Sequence, residues 1–140
     1  MLTAEQLKDR ERLRSHIERE GLTAVMSNVK WGRLQRVLAE FPFPVSFRRR
    51  EVRDVGPDPV HWDRDKAHVF GGLVSIEWLE ISARHEQRRG KLVAPIVHDR
   101  TVELRAALLA ASIPFSIVDG NVRVWGYLRS GVSPQWEMTG

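Results

Sequence analysis

The dipeptide Asp119-Gly120 constrains this chain more than any other feature. Asp-Gly between alternating apolar residues marks a two-residue type I′ hairpin turn, whose central residues both adopt positive φ. A loop of that length pairs Val118 with Asn121, Ile117 with Val122 and Phe115 with Val124. Phe115, Ile117, Val122 and Val124 then share one buried face, whereas a three-residue loop would set Ile117 opposite Arg123 and mix the faces. The predicted hairpin runs from Ile113 to Leu128, and its other face carries Ser116, Arg123, Trp125 and Tyr127.

The remaining elements follow from periodicity. Thr3 caps a charged helix over 3–20, with a thin apolar stripe (Leu2, Leu7, Leu13, Ile17) and Gly21 at its end. Residues 22–26 are a short apolar link. Ser27 or Asn28 opens a second helix over 29–41, with Leu34, Val37, Leu38 and Phe41 on its core face. Phe41-Pro42-Phe43-Pro44 stops it. In a strand over 45–52, Val45 and Phe47 point one way and Ser46, Arg48 and Arg50 the other. Residues 73–82 form a central strand, apolar on both faces, with Ile76 and Trp78 on one side and Leu79 and Ile81 on the other. Ala83 to Lys91 reads as a charged loop, and Leu92 to Val97 as a short strand kept at an edge by Pro95. Asp99 caps a third helix over 100–112. The predicted fold class is α+β: a mainly antiparallel sheet with helices packed on one face, preceded by a charged N-terminal helix.

With 140 residues, the chain reads as a single domain, with a core over about 22–128, the helix over 1–21 and a weakly ordered tail over 129–140, where docking of Trp136 is the alternative. Zero cysteine excludes disulfides, thiolate metal sites and a thiol nucleophile. No apolar run approaches the ~20 residues that span a bilayer, and the charged N-terminus lacks a secretory apolar segment, so a cytoplasmic location with no membrane partner is expected. The net charge is +4, and residues 21–60 hold seven bases against four acids. The excess lies around Lys30, Arg33, Arg36, Arg48-Arg49-Arg50 and Arg53.

Three stretches carry a resemblance: Asn28-x-Lys30-Trp31 opening a helix, Ser75-Ile76-Glu77-Trp78-Leu79-Glu80-Ile81, and Ile113-Pro114-Phe115-Ser116 followed by Asp119-Gly120 and Val124-Trp125-Gly126-Tyr127. Over about 27–128 the chain resembles a family of small uncharacterised bacterial proteins. The resemblance implies no established activity and no catalytic residues. Some such proteins look like cognate partners of toxins.

Each candidate for chemistry has a plainer structural reading. His61, Asp63, Asp65 and His68 could suit a transition metal, but loops commonly gather such residues, and a polar turn is the favoured reading. Glu77 and Glu80 could act as acid and base. At odd spacing on a straight strand they point to opposite faces, so each is expected instead to pair with an arginine, with Arg48, Arg50 and Arg123 as partners. Phosphate-cradling glycine loops and a nucleophile elbow are missing, so no catalytic residue, metal or other cofactor is assigned.

The leading expectation is a protein-binding module, immunity-like or regulatory, with a toxin as the concrete partner, or self-association through the N-terminal helix. Its expected surface is Arg123, Trp125 and Tyr127, joined by Trp78 and Trp31 where the fold allows, because Trp and Arg dominate interface energetics. Burial of those side chains would defeat it. The first alternative is nucleic-acid binding by Lys30, Arg33, Arg48 and Arg50 within the 30–53 segment. The second is a hydrolase using the His61–His68 cluster or the two glutamates. Trp62 and Trp136 fall in loop or tail, where an exposed aromatic is hardest to explain without a partner.

Overall fold

The computed structural model describes residues 2–66, 70 and 75–137. In chain order the elements are α1 (Ala4–Arg19), β1 (Thr23–Ala24), α2 (Asn28–Glu40), β2 (Ser46–Glu51), β3 (Ile76–Ser82), β4 (Arg84–Gln87), β5 (Ile96–Asp99), α3 (Thr101–Ala110), β6 (Ser116–Val118), β7 (Asn121–Trp125) and β8 (Tyr127–Leu128). The central sheet is antiparallel in the order β2-β3-β7-β6, and β1-β8 and β4-β5 are separate two-stranded pairs. The fold is α+β.

The Asp-Gly turn forms as its chemistry dictates. Asp119 and Gly120 have φ of 50° and 81°, and the register is Ile117 to Val122 and Val118 to Asn121. Phe115, Val122 and Val124 are fully buried. Helices α2 and α3 cover that face of the sheet, and Trp31, Leu34, Leu38, Leu104 and Leu108 meet Phe47, Leu79, Ile81 and Phe115 in one core.

Caps explain the helix boundaries. Thr3 and Gln6 form a reciprocal capping box on α1, and the Ser27 hydroxyl accepts from the Lys30 N–H on α2. Asp99, expected to cap α3, stands one residue too early: Arg100 holds the capping position without a side-chain bond, and Asp99 accepts from the N–H and the hydroxyl of Thr101. The Thr101 hydroxyl first, and its N–H second, hold the Asp99 carboxyl below its ordinary value near 3.8. A lowered folded-state pKa contributes stability that is present above the unfolded value and lost as pH falls through the folded one. Asp99→Ala should therefore flatten the acid limb of the stability curve below about pH 4. It should leave the pH dependence near neutrality unchanged, as read by urea midpoints across pH.

Three elements depart from the sequence reading. The central strand is not straight. Glu51 pairs with Ile76 and Arg50 with Trp78, so Glu77 is an extra residue in a β-bulge. The bulge resets the alternation, which puts Ile76 in the core with Leu79 and Ile81 rather than on the Trp78 side. Arg84–Gln87, expected within a loop, is a strand paired with Ile96–Asp99. The two form an arm joined at its base by the Arg100 N–H to the Ala83 carbonyl. The tail, expected to be weakly ordered, docks over 136–137: Trp136 bridges Ser116, the Glu137 N–H donates to the Phe115 carbonyl, and Arg105 pairs with Glu137. Trp136 thus lies along one edge of the central sheet, and Asp63 along the other by bridging Phe47.

Helix α1 lies outside the core. It buries Leu13 and reaches β2 through His16 Nε2, 3.0 Å from the Val52 carbonyl, and through the exposed Asp9–Arg53 pair. No helix among the described residues is long and apolar enough to cross a membrane.

Candidate functional site

The sheet face opposite the helices carries alternating charges and aromatics, because β2 presents Arg48 and Arg50 there, β3 presents Trp78 and Glu80, and β7 presents Arg123 and Trp125. Glu80, 0% exposed, is the anchor. Arg48 donates to both of its oxygens at 3.1–3.3 Å, Arg123 to Oε2 at 2.9 Å and Asn121 to Oε1 at 3.3 Å. The guanidiniums also stack on indoles. Arg48 lies 5.0 Å from the Trp62 ring centre and 5.9 Å from Trp78, and Arg123 lies 4.0 Å from Trp78 and 5.3 Å from Trp125. Trp62, Arg48, Trp78, Arg123 and Trp125 therefore form an alternating ladder across three strands and the loop beside them. Trp125 Nε1 closes it by donating to the Ser116 hydroxyl at 2.9 Å.

The bulge brings Glu77 to the same side as Arg50. Arg129 donates to Glu77 at 2.6 Å, and Arg50 lies 3.6 Å from its other oxygen. The expected arginine pairing of both glutamates is what the structure contains. Their expected placement on opposite faces is not, since the extra residue cancels the odd spacing. Each buried carboxylate already faces two guanidiniums, which leaves neither arranged as a proton acceptor for a substrate.

These contacts remove most of the surface expected for a partner. Trp31 is in the helix-side core, Trp78 is 2% exposed and Arg123 is buried against Glu80. Trp125 is half-buried at the end of the ladder. Tyr127 is half-buried in β8 opposite Ala24, where burial pushes its phenol up from the ordinary value. The Trp31–Trp78–Arg123 surface is therefore a correction: these side chains build the fold. The 30–53 basic segment meets the same fate. Arg33 donates to the Ala111 carbonyl at the end of α3. Arg48 binds Glu80 and the Pro59 carbonyl, and Arg50 holds the 54–58 loop through the Asp54 and Gly56 carbonyls and Asp58. Lys30 is half-buried on α2, on the other side of the sheet.

Of the metal cluster, His68 lies outside the described residues. Asp63 accepts from the Asp65 N–H at 2.8 Å, a turn contact, and no group of three or more His, Asp or Glu among the described residues is arranged to hold a metal.

What remains open to solvent is the end of the ladder and the arm beside it. Trp62 is 38% exposed and stands between two clefts. One, of about 390 Å³, lies against Arg49 and His61. The other, of about 500 Å³, lies at the foot of the arm and is lined by Ser46, Arg64, Ser82, Arg84, His85 and Asn121. Above it, residues 86–97 of the arm are all exposed. Their tip holds Arg88, Arg89 and Lys91 within four residues, beside Leu92 at 100% exposure. Sequence reasoning singled out Trp62 but missed Arg64, Arg84 and His85. Arg84-His85-Glu86-Gln87 has no apolar residue to mark a strand, so the sequence carried no signal for the last two.

A family model matches residues 13–131, most of the chain and nearly all of this architecture. The chain belongs to a family of unknown function, DUF6678. The match begins inside α1 and ends just after β8, so the sheet, the arm and both clefts are features of the DUF6678 region. No curated protein and no solved structure gives a significant match.

Proposed function

We propose that this protein binds nucleic acid through the β4-β5 arm and its foot. The observation that carries the reading is the exposed, basic arm. Arg88, Arg89 and Lys91 crowd its tip without an acidic neighbour between them, while Arg33, Arg48 and Arg50 of the 30–53 segment are engaged within the fold. Clustered exposed cations attract phosphates and release counterions. Arg64 and Arg84 continue the positive surface into the cleft, with Trp62 as an exposed aromatic beside them.

The test is fluorescence anisotropy with a labelled oligonucleotide, offered single-stranded and as a duplex. Affinity should fall steeply between about 50 and 200 mM salt. Replacing Arg88, Arg89 and Lys91 together by alanine should weaken binding and reduce the slope of log K against log salt by about 2 for a single strand. No binding of either form at low salt, or binding that ignores the triple substitution, overturns the reading. A protein partner is the second reading, favoured by the exposed Leu92, Val93, Ile96 and Val97 on the same arm. A protein complex that survives high salt and is lost on Leu92→Asp, in a chain that does not bind nucleic acid, would establish it.

A further inference from the structure

The clefts on either side of Trp62 say which form of nucleic acid fits. Trp62 carries the Arg48 guanidinium 5.0 Å from its ring centre, yet it remains 38% exposed and lines both clefts. A loop tryptophan held in this way is a ready stacking platform, because the cation and the backbone bridge at Asp63 fix its neighbourhood before any ligand arrives. The cleft at the foot of the arm is within the size range of sites that hold one small ligand unit. Its donors suit a phosphate: Arg84, which also faces Asp99 at 3.5 Å, and Arg64 supply guanidiniums, Ser46 and Ser82 supply hydroxyls, and Glu86 is the one acid in the lining. His85 stacks on His98 at 4.8 Å at the foot of the arm. Asn121 gives its amide nitrogen to Glu80, which leaves its carbonyl oxygen to accept from a base N–H.

A duplex cannot use these groups together. Its bases show their edges in the grooves while their faces are stacked on each other, so none is offered to an indole. Nor does a rod of that width enter a cleft of about 500 Å³. We infer that the foot of the arm is a site for single-stranded nucleic acid, with one base stacked on Trp62 and the adjoining phosphate held by Arg64 and Arg84. This inference rests on the nucleic-acid reading of the arm and adds to it the strandedness of the ligand.

The experiment compares one labelled oligonucleotide, alone and annealed to its complement, on the full chain at fixed low salt. The single strand should bind at least about tenfold tighter than the duplex, and Trp62→Ala should remove about tenfold of single-strand affinity while leaving the duplex nearly unchanged. Trp62→Phe, which keeps an aromatic face, should retain most of the binding and guards against a folding defect in the alanine variant. Arg84→Ala should weaken the single strand more than the duplex. Equal or tighter duplex binding overturns the inference, as does a single-strand preference that survives Trp62→Ala. If the triple arm variant weakens both forms and Trp62→Ala weakens neither, the arm reading stands and the cleft assignment is wrong. If neither form binds the unaltered chain, both fall.

Discussion

Glu80→Ala is expected to destabilise the fold by about 3–5 kcal/mol, because it strands two guanidiniums that the carboxylate now neutralises. Arg48 and Arg123 converge on Glu80 from the two neighbouring strands, and the carboxylate has no solvent contact. Without it, the two cations face each other across β3 with only indoles and Asn121 between them. Glu80→Gln should cost less, since it keeps one oxygen acceptor and the packed volume, but it still leaves two cations without a counter-charge. The comparison is Asp9→Ala, which breaks the exposed pair with Arg53 and should change stability by no more than about 1 kcal/mol. Urea unfolding followed by tryptophan fluorescence measures all three. A Glu80→Ala loss as small as that of Asp9→Ala would mean that the ladder is held by stacking alone.

Gly126→Ala is expected to cost about 3 kcal/mol, at the upper end for added volume in a packed interior. A Cβ at this position would lie 2.0 Å from the Ile76 carbonyl oxygen and 3.3 Å from the Trp31 ring. The near atom is backbone, so no side-chain rotation relieves the clash. The Gly126 N–H also donates to the Glu77 carbonyl at 2.8 Å, and its carbonyl accepts from the Val25 N–H. Its place is therefore where β7, the bulge of β3 and the β1 segment meet. Moving the backbone apart would loosen the bulge that sets Glu77 beside Arg50 and Arg129. The measurement is the urea midpoint together with amide exchange at Val25 and Gly126, and unchanged exchange there would show that the contact is not the one that holds the three strands.

The Glu80 and Gly126 predictions concern the same design feature. A sheet face that would ordinarily lie in water is filled by an arginine–tryptophan layer, so Arg48, Arg50 and Arg123, which look available in the sequence, are engaged within the fold. The cations with fewer internal partners lie on the arm. Arg89 at the tip donates only to the Ala94 carbonyl of its own loop among the bonds of the described residues.

Local chemistry made part of this protein legible in the sequence alone. The Asp119-Gly120 turn set its own register because positive φ at two residues and a period-2 apolar pattern admit one pairing. The caps at Thr3 and Ser27 and the stop at Phe41-Pro42 were equally readable, since each depends on neighbours within a few residues. Arg48, Arg50 and Arg123 could be named as partners of the two glutamates because adjacent strands and buried carboxylates leave few choices, whereas Arg129, the nearest partner of Glu77, comes from beyond β8 and was not foreseen. Tertiary structure alone decided the rest. The bulge at Glu77 arises from pairing with β2 and from the approach of Gly126, which no periodicity reveals. Whether Trp78 and Arg123 face a partner or one another depended on the loop and strands that fold over them. The arm depended on Arg84–Gln87 meeting Ile96–Asp99 across a loop, a non-local pairing hidden under a charged composition.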